Sequence, residues 1–257
     1  MAIELGQLQR EYKVRPNLNR ANLIFGRLFL IAGTLLLLYT FYITFFTEPD
    51  GIQYLFGTVG FLIALLGWLG LRIQKQETSI CVQVFSEGFS YSRSGKTDQF
   101  RWDDITEATL GVVQKKLRHH RVILETFYEY RITPQSGTDI QFRLKKNAIP
   151  DIEQFSNTIR NEVTRRQLPS AIATFNEGGT IQFGNLSVSG TGINNGKETM
   201  AWSDIEELKL NKGSIKFLKK DKSSNWPDVL VGQTPNVFVF LALVNNVLKN
   251  RSEPTSG

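Results

Sequence analysis

Cysteine is almost absent from this chain. Cys81 stands alone in 257 residues, so no internal disulfide can form. That fits a reducing compartment. Histidine is nearly as scarce: the sequence has two, the adjacent His119 and His120. Neighbours on a strand point to opposite faces. No Asp, Glu or Cys accompanies this pair at ligand spacing, so a metal centre is not expected. The sequence also lacks a glycine-rich phosphate loop, a Gly-x-Ser-x-Gly elbow and a His-Glu-x-x-His helix. Gly95-Lys96-Thr97 matches the end of a P-loop without its upstream glycine. No cofactor and no catalytic constellation are expected.

Charge is missing where it matters most. Residues 28–46 and 52–71 contain no Asp, Glu, Lys or Arg. Each stretch has about the ~20 apolar residues that a helix needs to cross a hydrocarbon core. Aromatic residues flank both. The link between them, Thr47-Glu48-Pro49-Asp50-Gly51, carries acids and two helix breakers. Arg10, Lys13, Arg15, Arg20 and Arg27 precede the first stretch, and Arg72 and Lys75 follow the second. Such an excess in short flanks marks the cytoplasmic side. The pattern predicts a cytosolic arm over 1–22 and a two-pass hairpin over 23–75, with helices at 24–46 and 52–72. Both termini would be cytoplasmic. A buried hairpin in a soluble protein is the competing reading. With no ionisable residue in either span, a transport pathway is not expected. Gly57, Gly60, Ala64, Gly67 and Gly70 suit close packing of the second helix on the first, or a homodimer.

The remaining chain reads as short strands with two helices. Period-two runs fall at 80–85, 88–92, 99–102, 105–113, 121–130 and 139–144, with turn residues between them. Ile149, Ile152, Phe155, Ile159 and Val163 then recur at helical spacing, with Asn147 as a candidate cap. Leu168-Pro169-Ser170 reads as a boundary. Strand-like runs resume at 172–175, 180–183, 186–189, 192–194, 198–201, 206–210 and 214–218. Gly178-Gly179 and Asn194-Asn195-Gly196 read as hairpin turns. A last helix is predicted over 236–247, capped by Thr234 with Pro235 in its first turn.

The order of elements repeats, and so does a local signature. Trp102-Asp103-Asp104-Ile105 in the first half matches Trp202-Ser203-Asp204-Ile205 in the second. Gly88-Phe89 and Gly192-Ile193 precede them. This predicts two copies of one domain, over 76–167 and 168–250, with a disordered tail over 251–257. Strands closed by one C-terminal helix resemble the pleckstrin-homology-like fold, and the Trp-x-Asp-Ile stretches resemble bacterial PH-like and GRAM-like domains. Residues 183–193, Trp202–Ile205 and 235–243 resemble motifs of an uncharacterised family with two membrane helices and such cytosolic domains. The resemblance implies two half-open barrels and no defined activity.

Trp102, Asp104, Trp202 and Asp204 are expected to be structural: the indoles as core, the carboxylates bonding turn backbones. Basic clusters are the binding candidates: Lys115, Lys116, Arg118 and Arg121 on one predicted hairpin tip, and Lys219, Lys220 and Lys222 around another turn. On a membrane-tethered domain of net charge +6, such clusters attract anionic lipid headgroups. A solvated polar face has the same sequence. Nucleic acid is not expected, because aromatics do not interleave with the charges. The sequence therefore reads as a membrane-anchored, non-enzymatic binding or scaffolding protein for lipid headgroups or a protein partner. An accessory subunit of a membrane complex is the alternative, and a membrane-bound enzyme the third reading.

Overall fold

A computed structural model describes residues 4–15, 20–46, 51–116, 123–135, 137–211, 213–220 and 226–252. The described chain divides into two compact units. One comprises Glu11–Gln83 with Ser90–Asp98, and the other contains the rest.

The first unit is dominated by two helices, α1 (Arg20–Phe46) and α2 (Ile52–Thr78). Small residues let their backbones meet. A Cβ on Gly33 would lie 2.4 Å from the Ala64 amide nitrogen, and one on Gly67 would lie 2.6 Å from that of Leu30. The glycine stripe of α2 thus packs against α1, while Gly70 faces open space. Apolar side chains point outward along both helices. Over the apolar windows of α1 and α2, 6% and 11% of residues are buried. A soluble core helix would hide such a surface. Both helices are long and apolar enough to span a membrane. α1 ends at the expected Phe46 and α2 starts at the expected Ile52, but α1 begins four residues before 24 and α2 runs six residues past 72, because polar residues at those two ends continue the helical turns.

The mainly β part is built twice. In the first half, β1 (Leu8–Lys13), β2 (Cys81–Phe85), β3 (Gly88–Arg93) and β4 (Lys96–Arg101) form a sheet in that order. A 3-10 turn, Trp102–Asp104, leads to a second sheet of β5 (Ile105–Lys116), β6 (Ile123–Pro134) and β7 (Ile140–Lys145). Helix α3 (Ile152–Asn176) follows. The second half repeats this with β8 (Ile181–Phe183), β9 (Leu186–Ser189), β10 (Gly192–Asn194) and β11 (Thr199–Ala201). It continues with the turn Trp202–Asp204, then β12 (Ile205–Asn211), β13 (Ser214–Lys219), β14 (Val229–Leu230) and helix α4 (Val237–Ser252).

Each half therefore has a four-stranded and a three-stranded antiparallel sheet and one C-terminal helix. The sheets are open. Among the described residues the two sheets of each half share no strand, so neither closes into a barrel. The first half has an aromatic core: Phe89 stacks on Phe100 at 4.7 Å, touches Trp102 at 5.2 Å and meets Phe155 of α3 edge-on at 5.4 Å. In the second half Phe240 of α4 takes the place of Phe155, meeting Phe183 at 5.5 Å.

Five local readings change. The arm contributes β1, so the helical hairpin is an insertion between β1 and β2. The run 172–175 is helix, not strand, and Leu168-Pro169 lies inside α3 rather than at a break. The helix continues past exposed Pro169 because Ala171 is buried and Phe175 meets Trp202 edge-on at 6.0 Å. Gly178-Gly179 ends that helix instead of turning a hairpin. Gly178 is left-handed at φ 82, and the Gly179 amide donates to the Thr174 carbonyl. Finally, Thr234 bonds back to the Leu230 carbonyl, and Asn236 leads into α4.

Candidate functional site

The two tryptophans hold equivalent places. Trp102 Nε1 donates to the Phe85 carbonyl at the end of β2, at 3.4 Å. Trp202 Nε1 donates to the Ser189 carbonyl at the end of β9, at 2.9 Å. Both rings are buried. Each indole ties the 3-10 turn to the second strand of its half. The glycine opposite is required in both halves. A Cβ on Gly88 would lie 2.1 Å from the Phe100 carbonyl oxygen, and one on Gly192 would lie 2.0 Å from that of Met200.

Asp104 and Asp204 act through their carbonyls. These accept from the Gln135 amide at 2.7 Å and the Lys220 amide at 3.1 Å, closing equivalent hairpins. Asp204 also accepts from the Ser203 hydroxyl. Asp103, which the sequence did not single out, carries the ion pair. It meets Arg166 of α3 at 2.6 Å, with Glu87 and Glu162 on the same guanidinium. Its counterpart Arg251 donates to the Gly190 carbonyl and lies over Trp202.

The basic candidates fall at different ends of equivalent hairpins. Lys115 and Lys116 end β5, in register with Glu125 and Ile123. Lys219 and Lys220 stand at the base of the β12–β13 hairpin, where Lys219 pairs with Ile205. Arg118, Arg121 and Lys222 lie outside the described residues, as do His119 and His120. Lys115 is exposed opposite Glu125, which Lys145 also engages. The Lys145 hydrogen bond holds the Glu125 carboxyl below its ordinary value.

The first hairpin is longer than the repeat requires. β5 runs to Lys116, whereas β12 stops at Asn211, the counterpart of Gly111. The extension exposes Val112, Val113 and Ile123. It also leaves a strand edge. Ala108 turns its amide and carbonyl away from β6, and alternation turns those of Leu110, Val112 and Gln114 the same way. An open groove runs along this edge, walled on the other side by Leu230–Gln233.

The two halves meet at the base of that edge. The Asn236 amide donates to the Ala108 carbonyl at 2.9 Å, and Asn236 Oδ1 accepts from the Ala108 amide at 2.8 Å. Asn236 Nδ2 donates to the Thr106 carbonyl at 2.6 Å. Phe238 lies under the Arg160 guanidinium at 5.2 Å. Gly232 and Gly111 let the backbones approach: a Cβ on Gly232 would sit 3.0 Å from the Gly111 Cα. Sequence spacing gives no sign of this contact, because it joins residues more than a hundred positions apart.

Cys81 is half-buried in β2, and its thiol donates to Glu11 Oε1 at 3.5 Å. Burial and that carboxylate push its pKa up, away from nucleophilic use. Among the described residues no group of His, Cys, Asp and Glu has the geometry of a metal site.

Together these features define a class: a protein with two membrane-length apolar helices inserted into the first half of a duplicated, mainly β region. The chain belongs to a family of unknown function, DUF6585, which matches residues 1–253. No curated protein matches it.

Proposed function

We propose that this protein is a membrane-anchored, non-enzymatic binding module. Its helical hairpin crosses the bilayer with both termini on the cytoplasmic side. Its two halves are pleckstrin-homology-like modules, a reading supported by the four-plus-three strand order and single C-terminal helix of each. The β5–β6 extension is the binding element, and its ligand is the anionic headgroup layer of the membrane.

The observation that carries this reading is the extension itself. It exceeds the repeat, and its hairpin carries exposed Val112, Val113 and Ile123 together with Lys115 and Lys116. Apolar side chains suit the acyl boundary, and each lysine near an anionic surface contributes about 1 kcal/mol. Arg118 and Arg121 add charge to the same sequence loop.

The test uses the full chain with Cys81→Ser and Gln114→Cys, labelled with an environment-sensitive dye and reconstituted into vesicles. Dye emission shifts to the blue in phosphatidylserine-containing vesicles relative to pure phosphatidylcholine, and added salt reverses the shift. Identical spectra in both lipids overturn the proposal.

A further inference from the structure

The duplication creates an edge in each half, and one of them is occupied. In the first half, β5 and α3 form a groove that receives the turn entering α4, with Asn236 bonded to Ala108. By the repeat, the second-half counterparts of β5 and α3 are β12 and α4. Leu208 is the counterpart of Ala108: both follow a register shift, at 205/207 and 105/107, and each sits on the edge strand of its sheet. Among the described residues, nothing bonds to the outward amide and carbonyl of Leu208. Leu210, its neighbour along the same edge, is 56% exposed.

The chain also holds a second copy of the turn that fills the first groove. Pro150-Asp151-Ile152 enters α3 as Pro235-Asn236-Val237 enters α4. Asp151 and Asn236 share the left-handed backbone, at φ 54 and φ 48, which is uncommon away from glycine. Behind them Phe155 matches Phe240, and Ile159 matches Val244, all fully buried. Asp151 is exposed.

We propose that the Asp151 turn of one molecule docks on β12 and α4 of a second copy. The Asp151 amide donates to the Leu208 carbonyl, and its carboxylate accepts from the Leu208 amide, as Asn236 does at Ala108. A carboxylate cannot donate as Asn236 Nδ2 does, and the second copy compensates with charge. Thr164 lines the first groove beside Asn236, and its counterpart on α4 is the exposed Lys249. Asn with Thr within the chain becomes Asp with Lys between chains.

The contact is heterologous. Each molecule offers one turn and one edge, so copies join head to tail into a ring or a row rather than a two-fold dimer. It is looser than the internal contact, because Asn211 replaces Gly111 and Asn147 replaces Gly232. The assembly is therefore reversible, and it does not depend on lipid binding by the β5–β6 extension.

Cross-linking the full chain in nanodiscs or detergent tests this, with Cys81→Ser as background. Pro150→Cys, which keeps the Asp151 carboxylate, and Leu210→Cys are made on separate molecules and mixed with a short bismaleimide. The expected product is the mixed dimer, with neither variant linking to itself. Asp151→Lys, in molecules carrying Pro150→Cys, abolishes linkage to Leu210→Cys. Lys249→Asp in the Leu210→Cys partner restores it. Thermal melting of each variant separates loss of contact from loss of fold. Absence of the mixed product from folded protein overturns the proposal, as does self-linkage of either variant at equal yield.

Discussion

Asn236 and Ala108 exchange two hydrogen bonds across the boundary between the halves, amide to carbonyl at 2.9 Å and amide to carboxamide oxygen at 2.8 Å. Ala108 is buried, so its amide has no water to fall back on. Asn236→Gly keeps the left-handed backbone but removes the side-chain bonds. It is expected to lower stability by about 1–3 kcal/mol, the cost of an unsatisfied buried donor. Asn236→Ala costs about 1–2 kcal/mol more, because its Cβ opposes the positive φ. Urea titration of the detergent-solubilised chain, followed by tryptophan fluorescence, measures both. Wild-type stability for Asn236→Gly would remove this latch from the fold's energetics.

The tryptophans give the second prediction. Trp102→Ala and Trp202→Ala should each destabilise the protein by about 3–5 kcal/mol, as truncation of a buried aromatic does. Because α3 runs from the core of one half to Trp202 of the other, the halves should unfold in one transition. Calorimetry that shows two separate transitions, with one shifted per variant, would refute that coupling.

Glycines supply a contrast. Gly88→Ala and Gly192→Ala drive a methyl into a backbone carbonyl and should leave little folded protein. Gly190→Ala meets nothing within 4 Å and should express and melt as wild type. Equal yields for all three would contradict the strand spacing.

Tyr128 should titrate late. Burial, and then its hydrogen bond to Glu153, push its pKa up to about 12. A raised folded value means the contribution is intact below the unfolded value of 10.0 and is lost as pH rises toward 12. Glu153, held low by Lys146 and Tyr128, has the opposite sign: its contribution is present above the ordinary carboxylate range and fades as pH falls below it. Phenolate absorbance should show a late component that Tyr128→Phe removes and Glu153→Gln shifts down, beside that of Tyr91, whose pKa burial also raises.

The hairpin should be excisable. β1 and β2 are neighbours, and their counterparts β8 and β9 are joined by Gly184-Asn185 alone. Joining Lys13 to Cys81 through Gly-Asn should yield a detergent-free protein with the far-UV spectrum of a mainly β fold. Aggregation in every short linker tested would show that the insertion also holds the sheet together.

Sequence alone determined the parts whose information is local or repeated. Residues 28–46 and 52–71 are uncharged and long, and both became helices with outward apolar faces. The paired Trp-x-Asp-Ile stretches both became 3-10 turns at equivalent places, because the same residues fold the same way in both copies. The tertiary structure decided what depends on distant partners. A four-residue run such as 172–175 fits strand or helix until Trp202 supplies a surface for Phe175. Arm residues 8–13 become a strand because β2 offers its edge, after an intervening hairpin that conceals the connection. Asn236 looks like an ordinary helix-start residue. Its place on Ala108 exists because packing of α3 on α4 brings the two halves of the chain together, and no spacing in the sequence encodes that distance.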